Sequence, residues 1–225
     1  MKKTSILSGI VAVSLLLGAC SKEGNEAPGI DKTNDGTFKV FTEGGITTVQ
    51  NLNADTIIGI APTGQPYGSG RFTFFSLENK ARVSGQDSAS LKWDIAFRGT
   101  TLLVNGGSSG PGNGGAFIWR GAFEALKNIP ADSVFRVDNA PSYAITAGSG
   151  RGWYNYDGPA NLVTPLPGRI LVIRTASGKY AKLEILNYYR KGQTPAVSDP
   201  DDLKIRNQRY FLFRYTYAGT GVAGF

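Results

Sequence analysis

Apolar and polar residues alternate with a period of two over several stretches of the chain. Trp93, Ile95 and Phe97 fall on one side of such a stretch, and the alternation recurs over residues 181–185 and 211–217. Successive side chains of a β-strand point to opposite faces of the sheet. The pattern therefore predicts strands that have one buried face.

Two further runs, Arg71–Leu77 and Arg169–Thr175, are rich in β-branched or aromatic residues. The second run is apolar on both faces, which is typical of a central strand, and Ala-Ser-Gly at 176–178 follows it at the spacing of a hairpin turn. Helical periodicity is convincing only over about Ala122–Ile129, and Pro130 ends it. We predict an all-β fold of mostly antiparallel sheets with one short helix.

The N-terminus has a different pattern, with lysines at positions 2 and 3, an apolar stretch over 6–17, and then Gly-Ala-Cys at 18–20. The stretch is shorter than the roughly 20 apolar residues that span a bilayer and has the length of a signal-peptide core. Small residues directly before Cys20 resemble the lipobox of bacterial lipoproteins, in which the cysteine is acylated. We predict that residues 1–19 are a lipoprotein signal peptide and that Cys20 is lipidated; the alternative is an ordinary secretory signal.

Residues 20–36 are polar and poor in apolar side chains, which is typical of a flexible tether, and residues 37–225 form the predicted β domain. Ser-Lys-Glu at 21–23 resembles part of the surface-export signal of some Gram-negative lipoproteins. We therefore expect the protein to be anchored by lipid to the outer membrane, at the cell surface. Two or three acyl chains suffice for stable anchoring.

The 225 residues include no histidine, and the single cysteine and methionine are Cys20 and Met1. Without histidine, the chain cannot form a Ser-His-Asp or Cys-His catalytic site or a histidine-ligated metal site. The formal net charge of +7 is compatible with nucleic acid, anionic lipid or an acidic small molecule. Since an exported lipoprotein seldom meets nucleic acid, we expect no nucleic-acid partner.

Sequence motifs for catalysis or metal binding are incomplete. The glycine-rich run Gly106–Gly115 lacks the Gly-Lys-Ser/Thr ending of a phosphate-binding loop, so it is interpreted as a mobile or tightly turning loop. Three carboxylates at 199–202 lack the remaining spacing of a calcium loop and are interpreted as a solvated loop. We predict that the protein is not an enzyme, although a hydrolase with paired carboxylates stays a minor alternative.

Several blocks of the sequence are similar to one family, the HmuY family of haem-binding lipoproteins. They lie downstream of the lipobox, in the family's order, and cover most of residues 90–217. The blocks are Lys-Trp-Asp-Ile-Ala-Phe-Arg at 92–98, Val-Asn-Gly-Gly-Ser-Ser-Gly at 104–110, Gly-Trp at 152–153, Gly-Pro at 158–159, the run 169–183 and Phe-Arg-Tyr-Thr-Tyr at 213–217.

The resemblance implies a β-rich haemophore that captures haem or a related ligand and passes it to a TonB-dependent outer-membrane transporter. It also implies two axial iron ligands, His in some members and Met in others, and the mature chain contains neither residue. One family ligand position falls just before Gly158, where this chain has Tyr156. The other falls between the predicted helix and Trp153, where it has Tyr143.

Tyrosine is the one remaining residue type that can serve as an axial ligand of haem iron. We therefore predict Tyr143 or Tyr156 as the iron ligand. Further candidates around the ligand are Trp153, Tyr154, Arg151, Tyr67 and Lys179. The aromatic run from Trp153 has an alternative role, which is to cap the core, and the protein as a whole has an alternative function, as a surface lipoprotein of the same fold that binds another ligand or a protein partner.

Overall fold

The strands predicted from the period-two pattern assemble into two antiparallel sheets. The structure, a computed structural model, describes residues 35–219 and 224–225. The predicted signal peptide, Cys20 and most of the predicted tether lie outside these residues, so their assignment stays a prediction. Within the described ranges, no helix has the length and apolar character needed to cross a membrane.

Short strands and tight turns make up most of the described chain. The strands are β1 (Lys39–Glu43), β2 (Ile46–Asn53), β3 (Gly59–Ile60), β4 (Pro66–Tyr67), β5 (Thr73–Ser76), β6 (Ala81–Val83), β7 (Ile95–Arg98), β8 (Thr101–Val104), β9 (Gly115–Arg120), β10 (Tyr154–Asp157), β11 (Leu162–Pro165), β12 (Arg169–Arg174), β13 (Tyr180–Tyr189) and β14 (Gln208–Ala218). The helices are α1 (Asp201–Asn207) and the 3₁₀ turns Gly85–Asp87, Phe123–Ala125 and Arg190–Gly192.

The large sheet has six strands in the order β1-β2-β14-β13-β12-β9, and the small sheet has four in the order β6-β5-β7-β8. Neighbouring strands in both sheets pair antiparallel. The pairs β3–β4 and β10–β11 are separate two-stranded hairpins. The predicted all-β fold with one short helix is confirmed.

A core rich in aromatic rings joins the two sheets. Phe97 of the small sheet stacks on Phe213 of the large sheet with ring centroids 5.4 Å apart, and Phe75 meets the same ring edge-on at 5.7 Å. Strand β12 lies between β13 and β9, with Leu171 and Ile173 in this core and the intervening side chains in a second cluster on the outer face. The prediction of a central strand apolar on both faces is confirmed.

The predicted helix at 122–129 is wrong in position. Only Phe123–Ala125 forms a single 3₁₀ turn there. The buried Phe123 and Leu126 produced the helical spacing, but both pack against the outer face of the large sheet. Their carbonyl oxygens accept hydrogen bonds from Lys182 Nζ, at 2.9 and 2.7 Å, so they are held by this side chain.

The described chain forms its α-helix at Asp201–Asn207, which begins within the acidic run 199–202 that the sequence predicts to be a solvated loop. Asp201 and Asp202 occupy its first turn, and Lys204 and Arg206 its last. Acidic residues at a helix N-terminus and basic residues near its C-terminus complement the helix dipole. The carboxylates therefore favour a helix start, which the loop interpretation overlooked.

Trp93 also departs from the prediction, because it lies on the opposite face from Ile95 and Phe97. It packs on the outer face of the small sheet beside Ala96, and β7 begins only at Ile95. Before the strand, the buried Asp94 carboxylate accepts hydrogen bonds from the backbone N–H groups of Leu77 and Ala176, at 2.8 and 3.1 Å. The strict alternation of side chains therefore does not extend back to Trp93.

Candidate functional site

The turn between β7 and β8, formed by Gly99 and Thr100, is the point at which both separate hairpins are attached to the sandwich. On the β3–β4 side, Gly99 N donates to Ala54 O at 3.2 Å. The neighbouring Asp55 accepts from Arg209 Nη1 through its backbone oxygen at 2.8 Å and from Gly70 N through its carboxylate at 2.7 Å. These contacts close the base of the β3–β4 hairpin.

The β10–β11 hairpin is attached to the same turn. Trp153 Nε1 donates to Thr100 O at 3.0 Å, and Thr100 Oγ1 donates to the Tyr154 hydroxyl at 3.3 Å. Two hairpins outside the main sheets therefore start from one end of the sandwich. We call this region, comprising β3–β4, the β7–β8 turn and residues 148–165, the hairpin end.

The hairpin end exposes apolar and aromatic side chains that a folded domain normally buries. Ile58, Ile60 and Tyr67 are exposed on or beside β3–β4, and Tyr156 is 47% exposed on β10. Exposed apolar groups that cluster on projecting elements mark a surface for a ligand or a partner. In the sequence, the signal for this surface is the short apolar run Ile-Ile-Gly-Ile at 57–60, which has neither strand alternation nor helical periodicity.

Arginines accompany these apolar side chains. Arg98 Nη1 donates to Gly70 O at 3.3 Å, and its guanidinium lies 4.2 Å from the centre of the Phe72 ring. Arg169 Nη2 donates to Gly150 O at 3.4 Å, while Arg71 is exposed. The region can therefore attract an anionic group close to an apolar surface.

A groove of about 570 Å³ runs from the base of β3–β4 across the outer face of the small sheet. Phe72 and Phe74 form its apolar lining, and Arg71 lies at one side. Ser84, Gln86 and Ser88 supply polar groups along the other part of the lining. A flat apolar ligand carrying a negative charge matches this combination of groups.

Two of the residues predicted to contact a ligand belong to the core. Trp153 is 2% exposed, and its ring centroid lies 5.3 Å from that of Phe211 and 5.7 Å from that of Tyr188. Tyr154 is also buried and packs on Trp153 at 5.0 Å. The alternative role, in which these rings cap the core, is the one the structure supports for both.

Tyr156 on β10 is linked to the exposed turn that contains Arg151 at the hairpin end. The Tyr156 hydroxyl donates to Asn161 Oδ1 at 3.4 Å, and its backbone N–H donates to Ser149 Oγ at 2.7 Å. Arg151 folds its guanidinium back over Gly148 in the same turn. Tyr156 is therefore held by its backbone, with its ring open to solvent on a surface that also carries a cation.

Tyr143 lies elsewhere, against the outer face of the small sheet. Its ring packs on the cluster of Trp93, Ala96 and Leu103. The next residue, Ala144, donates its N–H to the buried Asp138 carboxylate at 2.8 Å, which fixes the backbone beside Tyr143. The two predicted iron ligands therefore belong to different local clusters.

The remaining candidates also separate. The Tyr67 ring crosses its own hairpin over Gly59 and stays exposed at the hairpin end. Lys179 pairs with Glu78, which follows Leu77 near the Asp94 end of β7. Because β7 runs from that end to the β7–β8 turn, Lys179 is remote from the hairpin end, and the structure does not bring it beside the other candidates.

The donor atoms limit how haem could be held. Within residues 35–219 and 224–225, no group of three His, Cys, Asp or Glu side chains could hold a metal ion. Burial raises the pKa of the Tyr188, Tyr189 and Tyr215 hydroxyls, so these phenols resist the deprotonation that iron ligation requires. Ligation by His or Met does not fit this chain, and the accessible tyrosine hydroxyls among the described residues of the hairpin end are those of Tyr67 and Tyr156.

The chain is similar to one family model and to several solved structures. A family model described as HmuY protein matches residues 70–198, more than half of the chain. No curated protein matches the sequence. A Bacteroides fragilis structure described as a lipoprotein is 16% identical, covers 84% of this chain and 98% of its own, and superposes with a TM-score of 0.51, which supports the fold.

Two further solved structures are also similar. A Bacteroides vulgatus protein described as HmuY-like and heme binding is 16% identical over 78% of this chain and 93% of its own, with a TM-score of 0.49. The apo form of an HmuY analog from Tannerella forsythia is 12% identical over 81% of this chain and 98% of its own, with a TM-score of 0.43.

Proposed function

Because this chain belongs to the HmuY family, we propose that it is an exported lipoprotein that binds haem, or a similar flat apolar anion, at the hairpin end. One observation carries the proposal. Two hairpins attached to the same turn expose aromatic and aliphatic side chains beside arginines, which is the chemistry that a tetrapyrrole with two carboxylates requires.

The binding energy has to come from sources other than two axial iron bonds. Aromatic rings can stack on the tetrapyrrole plane and bury apolar area, and arginines can form charge-assisted hydrogen bonds with its carboxylates. Tyr156 can add one oxygen ligand, since its ring is open to solvent. A phenol must lose its proton to ligate ferric iron well.

We predict that titration of the untagged mature domain with ferric haemin gives a saturable high-spin spectrum, because the available donors are oxygens; the absence of a saturable shift would contradict haem binding. In the high-spin case, Tyr156→Phe is expected to abolish the spectrum. Tyr143→Phe is the comparison variant, because Tyr143 packs in the cluster that contains the groove residues Phe72 and Phe74; it is expected to retain the spectrum, and its loss there instead would place the iron beside that groove. The measurement is visible absorption, with any histidine tag removed beforehand.

Metal-free protoporphyrin separates ligation from stacking. If Tyr156 binds iron, the wild-type protein binds haemin more tightly than protoporphyrin, and Tyr156→Phe removes that difference. If stacking and charge suffice, both tetrapyrroles bind equally well. A saturable low-spin complex of one haem per chain would contradict the assignment of oxygen donors.

A second candidate function is the binding of a protein partner by the exposed β3–β4 hairpin. Ile58 is 67% exposed and Ile60 is 53% exposed, and aliphatic side chains at such exposure suit a protein interface. The lack of His and Met donors favours this alternative. It is supported if haemin and protoporphyrin both fail to bind, and if an Ile58→Asp variant then loses capture by a transporter.

We further propose that Cys20 carries the lipid anchor, that the domain lies on the outer-membrane surface, and that a TonB-dependent transporter receives the ligand. The sequence around the predicted lipobox and membership of the HmuY family support this. A projecting ligand site is also accessible to a transporter in the same membrane.

The anchor is tested with Cys20→Ser. The variant is expected to leave the membrane fraction completely, because acyl chains contribute roughly 0.8 kcal/mol per buried CH₂ group and none would be attached. Membrane and soluble fractions of the expressing cells are compared by immunoblot. Ser21→Ala is the control and should remain in the membrane; a Cys20→Ser protein that also remained there would rule out this anchor.

A further inference from the structure

Lys204 on α1 is a buried lysine whose charge is directed at the hairpin end. The residue is only 4% exposed. Its ammonium Nζ donates to Ala160 O at 2.8 Å and Val197 O at 2.9 Å, and lies 3.4 Å from Asp201 Oδ1. Ala160 belongs to the tip turn, residues 158–161, which joins β10 to β11. One side chain therefore connects the tip of this hairpin to the segment around α1.

The tip turn depends on such a contact because Ala160 is itself buried. A buried carbonyl without a donor is costly. The turn has local bonds of its own: Ala160 N donates to Asp157 Oδ1 and Asn161 N to Gly158 O, both at 3.1 Å. These bonds shape the turn, whereas the bond from Lys204, together with the packing of Ala160 in the main core, fixes where the turn lies relative to the two sheets.

The tip turn in turn supports Tyr156. The Tyr156 hydroxyl donates to Asn161 Oδ1 at 3.4 Å, so the end of its side chain contacts the residue next to Ala160. The Tyr156 backbone pairs opposite Val163, whose N–H donates to the Tyr189 hydroxyl, and Trp153 Nε1 on Thr100 O holds the base of the hairpin. A shift of the tip therefore moves the hydrogen-bond partner of the Tyr156 hydroxyl while the Tyr156 backbone stays in place.

We propose that Lys204 is a positioning residue for ligand binding: its ammonium holds the β10–β11 tip and thereby sets where the Tyr156 hydroxyl lies at the hairpin end. The inference rests on the proposed function for its effect on binding. The holding of the tip is a property of the unliganded protein and can be measured separately.

Lys182 provides a matched control. It is also 4% exposed, and its ammonium donates to two backbone carbonyls, those of Phe123 and Leu126. It lies on the outer face of the large sheet, away from the β10–β11 tip. Lys182→Met and Lys204→Met therefore remove the same chemistry, a buried ammonium bound to two carbonyls, from two different places. Methionine keeps much of the apolar volume of the lysine stem.

The experiment combines amide hydrogen exchange with tetrapyrrole titration. In Lys204→Met, the amides of Ala160 and Asn161 are expected to exchange at least about tenfold faster than in the wild type, and protoporphyrin, which has no iron for the introduced methionine to ligate, to bind about tenfold more weakly. In Lys182→Met, the tip amides and the affinity should match the wild type. Should Lys204→Met fail to fold, Lys204→Gln keeps one NH₂ donor on a shorter stem and is expected to show a smaller change at the same amides.

The two readouts separate the two proposals. Unchanged exchange at the tip in Lys204→Met, or equal acceleration throughout the domain in both lysine variants, would overturn the positioning role. Faster exchange at the tip with unchanged affinity would show that Lys204 holds the tip without serving the ligand, which also overturns it. If the wild-type protein binds no tetrapyrrole, the proposed function fails, and the exchange rates alone decide whether Lys204 holds the tip.

Discussion

Replacement of Trp153 by alanine is expected to lower the free energy of unfolding by about 3–5 kcal/mol. The indole ring is buried among Tyr154, Tyr188 and Phe211, so alanine leaves a large cavity. The substitution also removes the donor that Thr100 O accepts from. Urea denaturation followed by far-ultraviolet circular dichroism measures the change, because it does not depend on tryptophan fluorescence.

Tyr156→Ala is the control, taken from the same aromatic run. Its ring is half exposed, and substitutions of exposed side chains usually change stability by no more than about 0.5 kcal/mol. Tyr156→Ala should weaken tetrapyrrole binding with little effect on stability, and Trp153→Ala should do most of its damage through stability. If Trp153→Ala instead weakened binding at unchanged stability, and Tyr156→Ala lowered stability, Trp153 would be the ring that contacts the ligand.

The sequence alone left the role of this aromatic run open because both roles use the same residue types. Trp and Tyr suit a ligand site and a core equally well. Contacts with residues distant in sequence determine which role applies: Trp153 donates a hydrogen bond to Thr100 O, and its ring packs on Phe211. A local pattern contains no information about which distant strand will cover it.

The misplaced helix has a related cause. Over Ala122–Ile129, Phe123 and Leu126 are three residues apart, which suits one face of a helix. In the structure, Lys182 from β13 binds the two carbonyls that would otherwise be free to continue a helix. A charged side chain from a distant strand thus overrides the local preference.

Strands that pair with their neighbours in sequence were predictable, by contrast. The β12–β13 hairpin closes through the turn at 176–178, and its register pairs Arg174 with Tyr180 as the short turn requires. The hairpin end was not predictable in this way. Its two hairpins are far apart in the chain and meet at the β7–β8 turn, through the hydrogen bond from Gly99 to Ala54 and those of Thr100 with Trp153 and Tyr154.

Removing the Asp138 carboxylate is expected to have the other large effect. Asp138 is almost completely buried, and its two oxygens accept from Val104 N at 2.9 Å and Ala144 N at 2.8 Å. Asp138→Ala leaves both N–H groups without this acceptor, and each unsatisfied group costs about 1–3 kcal/mol. We expect a loss of about 2–5 kcal/mol in urea denaturation at neutral pH, together with loosening of the backbone beside Tyr143.

Comparison of the wild type with Asp138→Asn tests how the stability contributed by Asp138 depends on pH. The asparagine amide oxygen can replace one of the two carboxylate acceptors. Asp138→Asn should therefore lose less unfolding free energy at neutral pH than Asp138→Ala. In the wild type, burial raises the pKa of the Asp138 carboxyl, so the folded protein binds this proton more tightly than the unfolded chain, whose pKa is near 3.9. The contribution of Asp138 to the free energy of unfolding therefore increases as the pH falls from the raised pKa of the folded protein towards the pKa of the unfolded chain.

The amide introduced by Asp138→Asn does not titrate, and the other acidic groups are common to both proteins. The stability advantage of the wild type over Asp138→Asn should therefore grow between neutral pH and about pH 4. Glu78 and Glu124, whose carboxyl pKa values are lowered, affect both proteins alike and cancel in the difference. An advantage that shrinks on acidification would mean that the two backbone N–H groups outweigh burial and favour the charged carboxylate.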